Sequence, residues 1–371
     1  MQEKIQFIFP IDGDCLNDND GVNNGEYLSV KVKIKADSPF ALINGVQAEN
    51  VGGMFETHVK IAFGKNIITA TAGTESKAII VYRLKNSSAG YRFSVDDNIL
   101  FLKDLNDNKS GYRSIFDNKY LSLFKKAHDD FGTKVQLNLF YETEDLKGFS
   151  YPIEYFNLSM MTDKYKDEFI KNSDWLKMSF HSRKENPPYP YENDSSQVIA
   201  GDIDLVNSEI VRFAGRECLA AGTTIHYGSV NNGSLAEVKK HGYGALAGFF
   251  EIKDGKPIVS YNYPPELVEY IGTRDFWCDN KIGILFSHID CVLNYFSEPQ
   301  TVVSKLKEID EKSGYRSFID IMIHEQYFYP AYERHIPQFT NIVLGACKWL
   351  SEKGYKSRFL EEVFNEYDAT M

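Results

Sequence analysis

Cysteine is scarce in this 371-residue chain. The five present (Cys15, Cys218, Cys278, Cys291, Cys347) are scattered, odd in number and free of any C-x-x-C pair. That pattern argues against a disulfide framework and against a cysteine-rich zinc site. No apolar run reaches membrane-spanning length. Lys and Arg number 41 against 52 Asp and Glu, a formal net charge of −11. With no dense basic cluster, neither nucleic acid nor an anionic membrane surface is an expected partner. The acidic stretch Asp12, Asp14, Asn17, Asp18, Asn19 and Asp20 lacks the D-x-[DN]-x-[DN]-G spacing of a calcium loop, and reads as turns. Nor is there a repeat of the kind that builds a solenoid. The segment Met1–Pro10 has no signal-type apolar region. The chain as it stands is therefore expected to be cytoplasmic, with a removed leader left open.

Apolar residues make up 43% of the chain and aromatics 14%, enough for a sizeable core. The length favours two domains. Tyrosines number 23, more than a core requires. Tyr is amphipathic and suits stacking on sugar rings, although it is equally a common surface residue.

Residues 1–84 read as a small all-β sandwich. Val30, Val32 and Ile34 alternate with polar partners. The strands Val59–Phe63, Ile67–Ala72 and Lys77–Tyr82 follow, separated by Gly, Asn and Asp turns. The run from Ile43-Asn44-Gly45-Val46 through Gly64–Ala72 resembles immunoglobulin-like modules appended to bacterial carbohydrate enzymes. Residues 85–90 are small and polar and read as a linker.

From residue 91 onward strands and helices alternate. The expected strands are Phe93–Asp97, Lys134–Phe140, Trp175–His181, Thr223–His226, Ala245–Ile252, Ile282–Phe286 and Phe318–His324, with a short last one near Arg358–Leu360. Expected helices include Phe116–Phe131, Asp163–Asn172, Gly201–Phe213, Pro299–Glu311 and Pro337–Lys353, and Ser234-Leu235-Ala236-Glu237 carries a capping-box signature. So many successive units favour a parallel sheet in a closed or nearly closed barrel, an α/β fold. Ligand-binding groups in such folds collect at the C-terminal ends of strands. Asp96 and Asp97, Asn138 and Glu142, His181, His226, His288 and Asp290, and His324 and Glu325 all fall at such ends.

Those strand ends carry a resemblance. Residues 91–371 resemble a divergent polysaccharide deacetylase, the NodB-homology family, whose fold is a distorted β/α barrel. The family hydrolyses N- or O-acetyl groups on sugars with a divalent metal, often zinc. Its paired aspartates match Asp96 and Asp97, which implies Asp96 as general base and Asp97 as metal ligand. Its His-Ser/Thr-x-x-His motif aligns with His181-Ser182-Arg183-Lys184-Glu185, which implies His181 as a ligand and puts Glu185 where the second His stands. Its Arg-Pro-Tyr motif corresponds to Ile225-His226-Tyr227-Gly228, without the Arg. Its Leu-x-His strand end matches Ile321–His324, which implies His324 as general acid. The Gly-Pro that follows the family's aspartates is replaced by Asn98-Ile99.

A catalytic zinc keeps three protein ligands and an open position. Glu185 can be the third, or a loop acid paired with Arg183 or Lys184, and His226 can supply the missing nitrogen instead. Pro187-Pro188-Tyr189-Pro190-Tyr191 reads as an aromatic wall or as a rigid extended loop. Tyr189, Tyr191, His226 and Tyr227 are the expected carbohydrate contacts. The first reading is a metal-dependent carbohydrate deacetylase. A second is a catalytically impaired relative that binds glycan or serves structurally. A third is a metal-free hydrolase of another bond, using Asp96 with Glu185 or Glu325.

Overall fold

The computed structural model describes residues 5–231, 233–312 and 316–370. The alternation in the first 84 residues sorts into two antiparallel sheets. One runs in the order Ile5–Phe9, Leu28–Ala36, Met54–Ile61, Glu49–Val51, with Gly21–Asn23 also paired to Leu28–Ala36. The other runs Val46–Gln47, Leu42–Ile43, Gly64–Ala72, Glu75–Arg83. Every second residue of the long strands points inward, so Leu28, Val30, Val32 and Ile34 from one sheet and Ile68, Ala70, Ile79 and Val81 from the other share one apolar cluster.

The stretch expected as a linker is anchored. It forms a short turn over Lys85–Ser87, and Glu366 accepts hydrogen bonds from the backbone N–H groups of Lys85 (2.7 Å) and Asn86 (3.0 Å). Glu366 lies on a closing helix, Leu360–Asp368, where the sequence suggested a strand. The strand itself is two residues, Lys356–Ser357, paired with Gly90 and Tyr91.

The parallel strands beyond residue 90 fall into two sheets. The larger runs Leu176–Ser182, Val135–Phe140, Gly90–Asn98, Phe318–His324, Cys291–Val292. The smaller runs Gly222–Thr223, Ala245–Gly248, Ile284–His288, Phe276–Asp279. Among the described residues no ladder joins the two, so hydrogen bonding draws no closed ring. Two local features account for this. Gly222–Thr223 pairs with Ala245 and Leu246 but is too short to add a second ladder to Leu176–Ser182, because the chain leaves it for a tight turn over His226–Gly228. The far edge of the smaller sheet is taken by Phe276–Asp279, which runs antiparallel to Ile284–His288. Side chains from both sheets nonetheless bury into one apolar core, Val95, Leu137, Phe180, Phe286 and Ile321 among them.

The helices follow their apolar faces. Lys119–Phe131 buries Tyr120, Leu123, Phe124 and Ala127 and stops at Gly132, which takes the left-handed conformation (φ +69°) that closes a helix without strain. Lys166–Lys171, Ser196–Phe213, Pro299–Glu311 and Phe339–Glu352 lie close to expectation. Ser234 precedes the helix Leu235–Lys240, but its side chain makes no capping bond. Its hydroxyl donates to Asn231 Oδ1 instead.

Candidate metal centre

The strand Gly90–Asn98 is buried along its whole length and delivers two acids to its C-terminal end. Asp97 has φ +62°, which breaks the strand's regularity there. The break is held from outside. Glu325 accepts from the N–H groups of Ile99 (2.6 Å), Leu100 (2.8 Å) and Phe101 (2.7 Å), the orphan donors at the start of the helix Leu100–Asp107. Parallel pairing sets Asp96 beside His324 on the neighbouring strand.

His181 comes from the end of Leu176–Ser182, and His226 opens the tight turn His226-Tyr227-Gly228. That turn needs its glycine. Gly228 has φ +54°, and a Cβ there would stand 2.7 Å from the backbone carbon of Val259.

These elements bring Asp97, His181 and His226 into one buried group whose ligand-type atoms lie within 4.8 Å of one another. His181 Nε2 is 3.0 Å from Asp97 Oδ1, His226 Nδ1 is 3.0 Å from His181 Nε2, and His226 Nδ1 is 3.5 Å from Asp97 Oδ1. The outward nitrogens fix the tautomers. His181 Nδ1 donates to the Thr224 carbonyl (2.5 Å) and His226 Nε2 donates to the Glu185 carbonyl (3.1 Å). A carbonyl oxygen only accepts, so in the neutral rings both inward nitrogens present lone pairs. With both rings neutral, two imidazole lone pairs and a carboxylate oxygen converge on one point; with a proton on His181, Nε2 donates to Asp97 Oδ1 instead. In the neutral form the set suits a cation.

Electrostatics agree with the geometry. Burial works to raise Asp97, but the His181 hydrogen bond and the charges of His324, His226 and His181 hold its carboxyl well below the usual range. Burial opposes the charged form of His181, yet Asp96 and Asp97 together raise it above an ordinary imidazole. Burial holds His226 down to about 4, so its ring is neutral over the whole neutral range.

The group opens into a cavity of about 290 Å³. Asp96 lines it, with Oδ1 accepting from Asn138 Nδ2 at 2.5 Å. His324 lines it as well and donates from Nδ1 to Asn294 Oδ1 at 2.8 Å, which leaves Nε2 available. Tyr227 stands in the wall, and the exposed Tyr189 lies against it with ring centroids 4.7 Å apart.

Several sequence expectations need correction or refinement. Glu185 lines the cavity but is not in the convergent group. It is the backbone carbonyl of Glu185 that touches His226, while its carboxyl is pushed up to about 7 by burial and by Asp97. His226, expected as a substrate contact or as the source of the missing nitrogen, completes the convergent group with Asp97 and His181. Tyr191 is not part of an aromatic wall. It is 2% exposed, donates to Asp202 Oδ2 (3.0 Å) and accepts from Arg183 N–H (3.0 Å), which locks the loop after His181. Glu325 is fully buried against backbone N–H groups and does not line the cavity, which removes it as a catalytic acid. His288 faces a different cavity, with Asp290, Lys305 and Arg316.

Two functional neighbours had no sequence signal. Gln326 donates from Nε2 to Asp97 Oδ2 at 2.7 Å, and Asn294 orients His324. A His-Glu-Gln run at a strand end gives no indication of which of its side chains turns back toward the site.

No protein-family model matches the chain, and no curated protein sequence matches it. Among solved structures, the chain is similar to a crystal structure from Mycobacterium smegmatis named as a "putative polysaccharide deacetylase". The TM-score is 0.42 and the identity 7%, over 77% of this chain and 92% of that one. A likeness of that size carries no chemistry across, and the chemistry of this site rests on its own geometry.

Proposed function

We propose that this chain is a metal-dependent hydrolase that removes acetyl groups from an oligosaccharide or polysaccharide. The observation that carries the reading is the meeting of Asp97 Oδ1, His181 Nε2 and His226 Nδ1 within 4.8 Å of one another beside an open cavity. Two imidazoles and one carboxylate suit zinc, and three protein ligands leave a position open. The outward hydrogen bonds to Thr224 and Glu185 carbonyls are the orienting contacts that metal-binding histidines use. A divalent cation held there supplies Lewis acidity and activation of water.

The chain's own residues supply the rest. Asp96, oriented by Asn138, takes the proton of the attacking water as general base. His324, with Nδ1–H held by Asn294, must carry a second proton at Nε2 as the imidazolium, and gives that proton to the departing amine or alcohol as general acid. Tyr189 and Tyr227 offer an aromatic pair for a sugar ring. In this reading residues 91–371 form the catalytic unit, a distorted β/α barrel of the deacetylase type. Residues 85–90 connect it to an immunoglobulin-like sandwich over residues 1–84.

The test is metal analysis of the purified protein together with acetate release from acetylated oligosaccharides. Bound zinc with acetate release, and loss of release in Asp96→Asn and His324→Asn, is the expected result. Absence of zinc, cobalt, nickel and manganese under every loading condition would overturn it. A second reading, glycan binding without turnover, is favoured by the lack of an arginine in the turn Ile225–Gly228. Saccharide binding without acetate release would select it.

A further inference from the structure

We infer that Gln326 is a positioning residue for Asp97, and that the turn Glu325–Phe328 is the clamp that builds the metal centre. The inference rests on the metal reading above and extends it to a residue outside the ligand set. Asp97 stands at the end of a strand with φ +62°, so the pleat does not dictate where its carboxylate points. Two contacts from one turn do. Glu325 grips the three N–H groups that follow Asn98, fixing the backbone just beyond Asp97. Gln326 then donates to Asp97 Oδ2, leaving Oδ1 facing His181 and His226.

The amide orientation is chemically forced, because turning Gln326 over would press Oε1 against a carboxylate oxygen. Gln326 Oε1 itself has no hydrogen-bond partner, so donation to Asp97 is the contact that accounts for an otherwise unfavourable buried amide. The same turn begins directly after His324. One four-residue segment therefore sets the ligand carboxylate and directly follows the proposed general acid.

Gln326→Met tests this. It keeps the side chain's length and removes the donor. Zinc affinity is read by competition with a chromophoric chelator, alongside the visible spectrum of the cobalt-substituted protein and the melting temperature of the metal-free protein. The expected result is a zinc Kd raised by about 10–100-fold, altered cobalt bands, and a metal-free melting temperature close to that of the parent. A Kd within about twofold of the parent, or a loss of affinity matched by a general loss of metal-free stability, would overturn the clamp. If the parent protein binds no divalent metal, the metal reading and the clamp fall together. Zinc on the parent with unchanged affinity in Gln326→Met removes the clamp alone.

Discussion

Asp97, His181 and His226 present three acceptor atoms to one point, and each must be free of a competing proton for a metal to bind. His226 already meets that condition, since burial holds it at about 4. His181 does not, because Asp96 and Asp97 raise it. The competing proton is therefore the one on His181. Zinc affinity should weaken as the pH falls through the neutral range, by about tenfold per unit for one displaced proton. Chelator competition across that range measures it, and a flat profile would contradict it. His226→Ala should abolish stoichiometric zinc while Glu185→Gln should not, because only the backbone carbonyl of Glu185 touches the group. Metal analysis of the two variants separates the assignments.

At the scale of single elements, the loop after His181 and the turn after His324 behave as scaffolding. Tyr191→Phe removes the hydroxyl that joins Asp202 to the Arg183 backbone, leaving buried groups unsatisfied. It should lower stability by about 1–3 kcal/mol in a denaturant melt, without the change in saccharide affinity that a wall residue would show. Much of this level was legible in the sequence. The sequence placed Asp96-Asp97, His181 and His324 at strand ends, and it was their joint placement, more than any one of them, that pointed to this end of the sheet. Glu185 was harder to place. Its four-residue offset from His181 implies a shared face only on a helix, and here the chain has already left the strand at Ser182. Tyr191, expected as a carbohydrate contact, is buried by tertiary packing. Gln326 and Asn294 gave no signal, since their roles depend on side-chain directions that no local pattern encodes.

Across the whole molecule, the amino-terminal sheets are bound to the rest through buried charge. Arg274, 2% exposed, donates to both oxygens of Asp20 at 2.7 Å. Asp20→Ala removes both of those hydrogen bonds while Asp14 stays 3.6 Å from the guanidinium, and should cost about 1.5–3 kcal/mol, more than a surface substitution, as calorimetry would show. Asp275 ties Asn17 to the N–H groups of Ser317 and Phe318, and burial pushes it up to about 7 despite those bonds and the nearby Arg316 and Arg274. A carboxyl raised on folding binds its proton more tightly in the folded state. Its contribution is therefore complete at low pH and is lost as pH climbs through its folded value. Relative to Asp275→Asn, the parent should lose about 1.4 kcal/mol per pH unit between the ordinary carboxylate range and about 7. Paired melts at several pH values would reveal any departure from that slope. The alternation of the first strands foretold the sheets themselves. The partnership of Asp20 with Arg274, residues 254 apart in the chain, lay beyond any sequence window.

A site that trades a proton for a cation makes the folded chain responsive to its ionic surroundings. A cation that binds only where Asp97, His181 and His226 are gathered binds the folded chain and not the unfolded one. Each tenfold rise in free zinc above its Kd should then add about 1.4 kcal/mol to the folded state. The midpoint of thermal unfolding becomes a gauge of metal supply, readable before any substrate is known.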